Sequence, residues 1–142
     1  MAATVERSYS RTIGSLHAVL LAGTVPLFLG AVLADAAYAS TFHIQWLNFA
    51  SWLIVGGLIF AGLALVLAII DLFRGDRRGR GIGPYVMVLL ATWVVGFFDA
   101  LMHARDAWAS MPTGLVLSVF VALLACVATW MGFRAPRIGA TS

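Results

Sequence analysis

The sequence predicts an all-α integral membrane protein: a four-helix, up-down-up-down transmembrane bundle whose N- and C-termini are both cytoplasmic. Three observations predict this fold class. The composition is 62% hydrophobic and only 11% charged, whereas roughly a quarter of the residues in a soluble domain carry charge. Four apolar stretches are long enough to cross a bilayer, and the arginines gather on one side of them.

The four spans are expected at about residues 13–36, 46–71, 83–103 and 112–133, and they form a single domain over residues 1–142. A helix needs about 20 predominantly apolar residues to cross the hydrocarbon core. The connections between the spans are short, so consecutive helices are expected to pack antiparallel. No repeat of fixed period is evident in the sequence.

The arginines set the predicted orientation. Eight of them lie with the two termini and the connection between the second and third helices, whereas Arg105 lies on the opposite side. The positive-inside rule then predicts a multi-pass membrane protein with these eight in the cytoplasm. Trp46, Trp108 and Trp130 lie near the apolar boundaries, as expected for an interfacial aromatic belt. The eight residues are Arg7, Arg11, Arg74, Arg77, Arg78, Arg80, Arg134 and Arg137.

A cleaved signal peptide is the main alternative for the N-terminal region. Arg7 and Arg11 precede an apolar stretch that is followed by Ala37-Tyr38-Ala39, which resembles a cleavage site. The apolar stretch is longer than the roughly 7 to 15 residues of a signal peptide. We therefore favour a first transmembrane helix.

A stripe of small or polar residues at heptad spacing follows one side of each helix. In lipid, close helix packing selects small side chains, and polar side chains turn away from the acyl chains. These stripes are therefore expected to line the interior. They comprise His17, Thr24, Ala31 and Asp35; Gly57, Ala61, Ala64, Ala68 and Asp71; Tyr85, Thr92, Gly96, Asp99 and His103; and Gly114, Ser118, Ala122, Ala125, Thr129 and Gly132.

The polar residues of the stripes are expected to form two separate layers. His17 and Asp35 share a face of the first helix but are 18 residues apart, which is about 27 Å of helix rise. The cytoplasmic layer would hold His17, Asp71 and Tyr85. The outer layer would hold Asp35, Asp99 and His103, with His43 reachable from the first outer connection. Because mostly aliphatic residues lie between the layers, a continuous proton wire within one protomer is not expected.

The outer layer offers two imidazoles and two carboxylates, a ligand set that suits zinc or a similar divalent metal. Asp99 and His103 are four residues apart and therefore share a helix face. The alternative, which we favour, is a structural Asp–His hydrogen bond that joins the third helix to the first.

In the cytoplasmic layer, His17 and Asp71 are expected to pair at the start of the first helix and the end of the second. Such a pair could hold a quinone oxygen, or His17 could ligate haem together with Met87 or Met131. Haem with two histidine ligands is excluded within one chain, because His17 and the other histidines lie at different depths. A structural pair is the favoured interpretation.

Several sequence features occur together in the first half of the chain. They are His17 at the opening of the first helix, Gly30-Ala31 and Asp35 further along it, QWLNFASWL at the entry to the second helix, and IIDLF with Asp71 at its end. In these features the chain resembles the bacterial membrane-protein family known as domain of unknown function 2231, which implies a location in the bacterial inner membrane. The resemblance implies a four-helix membrane domain and supplies no established activity.

Most classes of chemistry lack support in this sequence. It contains no CxxC, HExxH or glycine-rich phosphate loop, and Ser118 has no predicted base beside it. The arginines lie at segment ends, which argues against nucleic acid. We expect a protein that is not an enzyme and that serves as a structural or accessory subunit of a homo-oligomer or larger membrane complex in the lipid bilayer. A redox subunit with haem or quinone and a divalent-metal protein are the alternatives.

Overall fold

The computed structural model describes residues 14–74 and 81–134, and it contains five helices and no strand within these ranges. Four of the helices are long and apolar enough to cross a membrane, which confirms the predicted fold class. The fifth, α4, is a single turn, so the fourth predicted span is α5. The helices are α1 (Ser15–Thr41), α2 (Ile44–Phe73), α3 (Ile82–His103), α4 (Ala107–Ser110) and α5 (Thr113–Phe133).

The first helix continues five residues beyond its predicted end, because its polar C-terminal residues stabilise further helical turns. The hydroxyl groups of Ser40 and Thr41 both donate to the carbonyl oxygen of Ala37. Phe42 then adopts a left-handed conformation with φ 56°, and its amide donates to the carbonyl oxygen of Tyr38. Such a left-handed residue ends a helix and reverses the chain. As a result, only Phe42 and His43 connect α1 to α2.

Each long helix packs against two neighbours. Helix α1 contacts α2 and α5, and α3 contacts the same two helices, so α1 and α3 lie on a diagonal and run parallel. We call the two ends of the bundle the Phe42 end, where α1 passes into α2 and α3 passes through α4 into α5, and the Arg74 end, where α1 and α3 begin. The bundle therefore has the predicted up-down-up-down order.

The predicted stripes lie inside the bundle. All of their residues in α1 and α3 are buried, and in α2 and α5 only Asp71 and Thr129 are partly exposed. Bulky side chains such as Leu33, Trp52 and Met87 face outward instead. The small interior residues permit close contacts: a Cβ atom built on Gly57 would lie 2.6 Å from Cε1 of Phe28.

The two helical hairpins bury equivalent positions, although no repeat is evident in the sequence. Buried residues of α1 recur 68 positions later in α3: Thr24 and Thr92, Phe28 and Gly96, Asp35 and His103. Helices α2 and α5 show the same relation, with Ala50 matching Ser118 and Gly57 matching Ala125. The repeat is one of position and burial, and it escaped sequence analysis because the paired side chains mostly differ.

Three arginines fall within the described residues, and their positions agree with the predicted grouping. Arg74 and Arg134 lie at the Arg74 end, where the Arg134 guanidinium is 4.5 Å from the ring of Trp130, and Arg105 lies at the Phe42 end. The other six arginines on which the cytoplasmic orientation rests lie outside the described residues, as does the predicted start of the first helix at residue 13. The orientation of the termini stays a prediction.

Candidate functional site

Two polar clusters join α1 to α3, one at each end of the bundle. At the Arg74 end, Nε2 of His17 and the hydroxyl oxygen of Tyr85 are 2.7 Å apart in a hydrogen bond between two buried side chains. The two rings are tilted by 35°, with centroids 5.9 Å apart. Asp71 lies close enough to interact electrostatically with both residues. We call these three residues the His17 cluster.

The hydrogen bond of His17 goes to Tyr85, whereas sequence analysis expected Asp71 as its partner. The difference arises from the arrangement of the helices, because α1 and α3 face each other across the bundle centre. Asp71 lies in the last turn of α2, where it is only partly buried. Sequence analysis nevertheless assigned all three residues to one layer.

At the Phe42 end, four buried side chains from three helices form what we call the Asp35 cluster: Asp35 from α1, Asp99 and His103 from α3, and Ser118 from α5. Nε2 of His103 lies 2.8 Å from Oδ1 of Asp35, and its Nδ1 donates to the carbonyl oxygen of Asp99 at 2.9 Å. The hydroxyl oxygen of Ser118 lies 2.5 Å from Oδ2 of Asp35 and 3.0 Å from Oδ2 of Asp99.

Ser118 is the member of the Asp35 cluster that sequence analysis did not assign to this layer, since it found no partner for the hydroxyl group. The available signal was its position on the predicted interior stripe of the fourth span, one turn after Gly114. Gly114 itself makes room for the cluster, because a Cβ atom there would lie 3.0 Å from Cε1 of His103. Two small residues one turn apart on α5 thus accommodate polar side chains from α1 and α3.

His43 does not join the Asp35 cluster. It is exposed at the start of α2, and the hydrogen bonds of the cluster do not include it. Because α1 continues to Thr41 and the chain reverses at Phe42, His43 lies two residues beyond the end of the helix that carries Asp35. Sequence analysis ended this helix at about residue 36.

The described residues contain no group of three or more His, Cys, Asp or Glu side chains that could hold a metal ion. Within the Asp35 cluster, both carboxylate oxygens of Asp35 already contact protein groups, and both imidazole nitrogens of His103 do so as well. The predicted metal site therefore receives no support from this geometry. For haem, Met87 is 64% exposed on the outer surface of α3, so it does not face His17.

Apolar side chains separate the two clusters. Leu21, Phe28, Leu89 and Val121 are fully buried between them. Thr24, also within this region, donates its hydroxyl to a carbonyl oxygen of its own helix, as Thr92 does in α3. The two polar layers are thus distinct within the described residues.

A cleft of about 480 Å³, lined by both polar and apolar residues, opens beside the Asp35 cluster. Gln45, Asn48 and Ser51 line it from α2, and His103 and Arg105 line it from the end of α3 and the residues that follow. His103 is thus the member of the Asp35 cluster that borders the cleft.

Comparison with known proteins gives one family. A family model described as a predicted membrane protein, domain of unknown function 2231, matches residues 14–137. The match covers most of the chain and agrees with the resemblance noted in the sequence. No curated protein and no solved structure matches the chain.

Proposed function

Since the chain belongs to the family of predicted membrane proteins described as domain of unknown function 2231, we propose that it is a structural or accessory subunit of a membrane assembly. The assembly is a homo-oligomer or a larger complex in the bacterial inner membrane, and the chain acts through helix packing and not as an enzyme.

One observation carries this proposal: the polar side chains of the Asp35 cluster bind one another across the bundle. His17 and Tyr85 do the same at the other end. Hydrogen bonds between side chains of different helices stabilise a helix bundle in the membrane. What remains for other molecules to contact in the membrane is the bulky apolar exterior.

Because the small-residue stripes lie inside the bundle, they are not available for contact with a partner protein. The side chain of Phe28 packs against Gly57, and that of Leu21 packs against Gly132. The close packing at these glycines is therefore between helices of the same chain. A partner would instead meet large side chains such as Trp52, Ile59 and Leu123. Van der Waals packing is one of the forces that drive helix association in lipid.

The test is the mass of the particle extracted from native membranes into lipid nanodiscs without detergent. We expect a protein mass well above the 15.2 kDa of one chain. Cys126, an exposed cysteine of α5, also permits a spin label whose dipolar coupling would detect a second copy. A particle that contains one chain and no other protein would overturn the proposal. A haem absorption band or a co-purified quinone would favour the redox alternative.

A further inference from the structure

The hydrogen-bond contacts of the Asp35 cluster cannot all form if both Asp35 and Asp99 are ionised. Ser118 lies within hydrogen-bond distance of both Asp35 and Asp99. A serine hydroxyl has one hydrogen atom to donate, and an ionised carboxylate can only accept. Ser118 therefore donates to one carboxyl group, and the other contact is a hydrogen bond if that carboxyl group carries a proton and donates it to the serine oxygen.

The contacts of His103 require a second additional proton. Its Nδ1 faces the backbone carbonyl oxygen of Asp99, which can only accept, so Nδ1 carries a hydrogen atom. Its Nε2 faces Oδ1 of Asp35, and one proton must lie between these two atoms. If Asp35 is ionised, His103 is a doubly protonated imidazolium.

The surroundings of the two carboxyl groups indicate which one is ionised. Both oxygens of Asp35 contact donors, His103 and Ser118. Oδ1 of Asp99 is buried without a hydrogen-bond partner among the described residues. It lies 3.1 Å from Nδ1 of His103, but the hydrogen atom there is directed to the carbonyl oxygen of Asp99. A buried charge without a donor is far more costly than a neutral carbonyl group in the same place.

We propose that the Asp35 cluster is a proton-binding site in which Asp99 is a neutral carboxylic acid and Asp35 and His103 form a buried ion pair, and that it exchanges protons with water through the cleft beside His103. This assignment satisfies the four contacts of Ser118 and His103 described above. It also gives the cluster a net charge of zero, as burial within a membrane protein favours.

Access to the site follows from the position of His103. All four side chains of the cluster are almost completely buried, and that of His103 is 1% exposed. Of the four residues, His103 is the one that borders the cleft. The ionisable groups that face it are Asp35 from α1 and Asp99 from its own helix, and Arg105 lines the cleft nearby. Helix α2 contributes uncharged polar side chains there, and α5 contributes Ser118.

The test is the infrared spectrum of the full-length protein in lipid nanodiscs at neutral pH. We expect the carbonyl stretching band of a protonated carboxylic acid, and we expect it to shift when aspartate is labelled with carbon-13. The band should disappear in Asp99→Asn and persist in Asp106→Asn, a matched change at an exposed aspartate. Absence of the band from the wild-type protein, or its survival in folded Asp99→Asn, would overturn the proposal.

Two further measurements do not depend on the folding of Asp99→Asn. Nitrogen-15 spectra of the wild-type protein should show one histidine with both ring nitrogens protonated, and this signal should be lost in His103→Gln. In D₂O the infrared band should move to lower frequency, and Asn48→Trp, which fills the cleft, should slow this change. Three singly protonated histidines would refute the ion pair, and a wild-type band that does not move in D₂O would refute exchange through the cleft.

Discussion

At the scale of single residues, the hydrogen bond between His17 and Tyr85 can be tested by removing one oxygen atom. Tyr85→Phe leaves the buried Nε2 of His17 without its partner, so we expect a loss of about 1–3 kcal/mol in the free energy of unfolding. The measurement is reversible unfolding in mixed detergent micelles. Tyr38→Phe provides the matched control, because Tyr38 is also buried and lies outside both clusters.

A double-mutant cycle isolates the pair. His17→Leu removes the imidazole, and in its presence Tyr85→Phe should cost much less than in the wild-type protein. Equal costs in the two backgrounds would contradict a hydrogen bond between these side chains.

Depth in the membrane was predictable from the sequence for these residues, but the choice of partner was not. Counting helix rise from the apolar boundaries brought His17, Asp71 and Tyr85 to one layer and Asp35, Asp99 and His103 to another. Partner choice depends in addition on which helices lie on a diagonal, and no periodicity within a single helix encodes this. The same reason explains why the role of Ser118 emerged only from the assembled bundle.

At the scale of helices, alanine substitutions at two glycines distinguish the effect of close packing on stability from the effect of helix propensity. Gly57→Ala would drive a methyl group into the ring of Phe28, so we expect a destabilisation of about 1–3 kcal/mol from overpacking. At Gly83, in the first turn of α3, an added Cβ atom would meet nothing within 4 Å. Gly83→Ala should therefore be neutral or stabilising by up to about 1 kcal/mol. If thermal unfolding ranked Gly83→Ala as the more damaging change, the contact between Gly57 and Phe28 would be wrong.

The interior faces of the helices were predictable because small-residue stripes have a clearer meaning in a membrane helix than in a soluble one. In water a stripe of alanine and glycine carries little information, whereas in a bilayer such a stripe marks the surface where helices approach. The end of α1 was less predictable. Hydropathy falls after Ala34, but Ser40 and Thr41 bond to the backbone of their own helix and extend it.

At the scale of the whole molecule, the arginine distribution predicts that the Arg74 end faces the cytoplasm. In a Cys126→Ala background, we expect a cysteine at Ala109 to react with a membrane-impermeant thiol reagent in intact cells. A cysteine at Gly79 should react only after permeabilisation. Ala109 is chosen because it is exposed, whereas the neighbouring Ser110 is fully buried. The reverse labelling pattern would invert the predicted orientation.

The two contacts between α1 and α3, His17 with Tyr85 and Asp35 with His103, also fix how these helices lie against one another. These contacts lie about 27 Å apart along the helices. Together they restrict both sliding and rotation of α1 relative to α3. At the Phe42 end, Ser118 of α5 contacts Asp35 of α1 and Asp99 of α3. At the same end α2 is held by apolar packing of Leu47, Ala50 and Ile54, and the hydroxyl of Ser51 bonds within its own helix. At the Phe42 end, polar side chains therefore join α1, α3 and α5, whereas α2 packs there through apolar side chains.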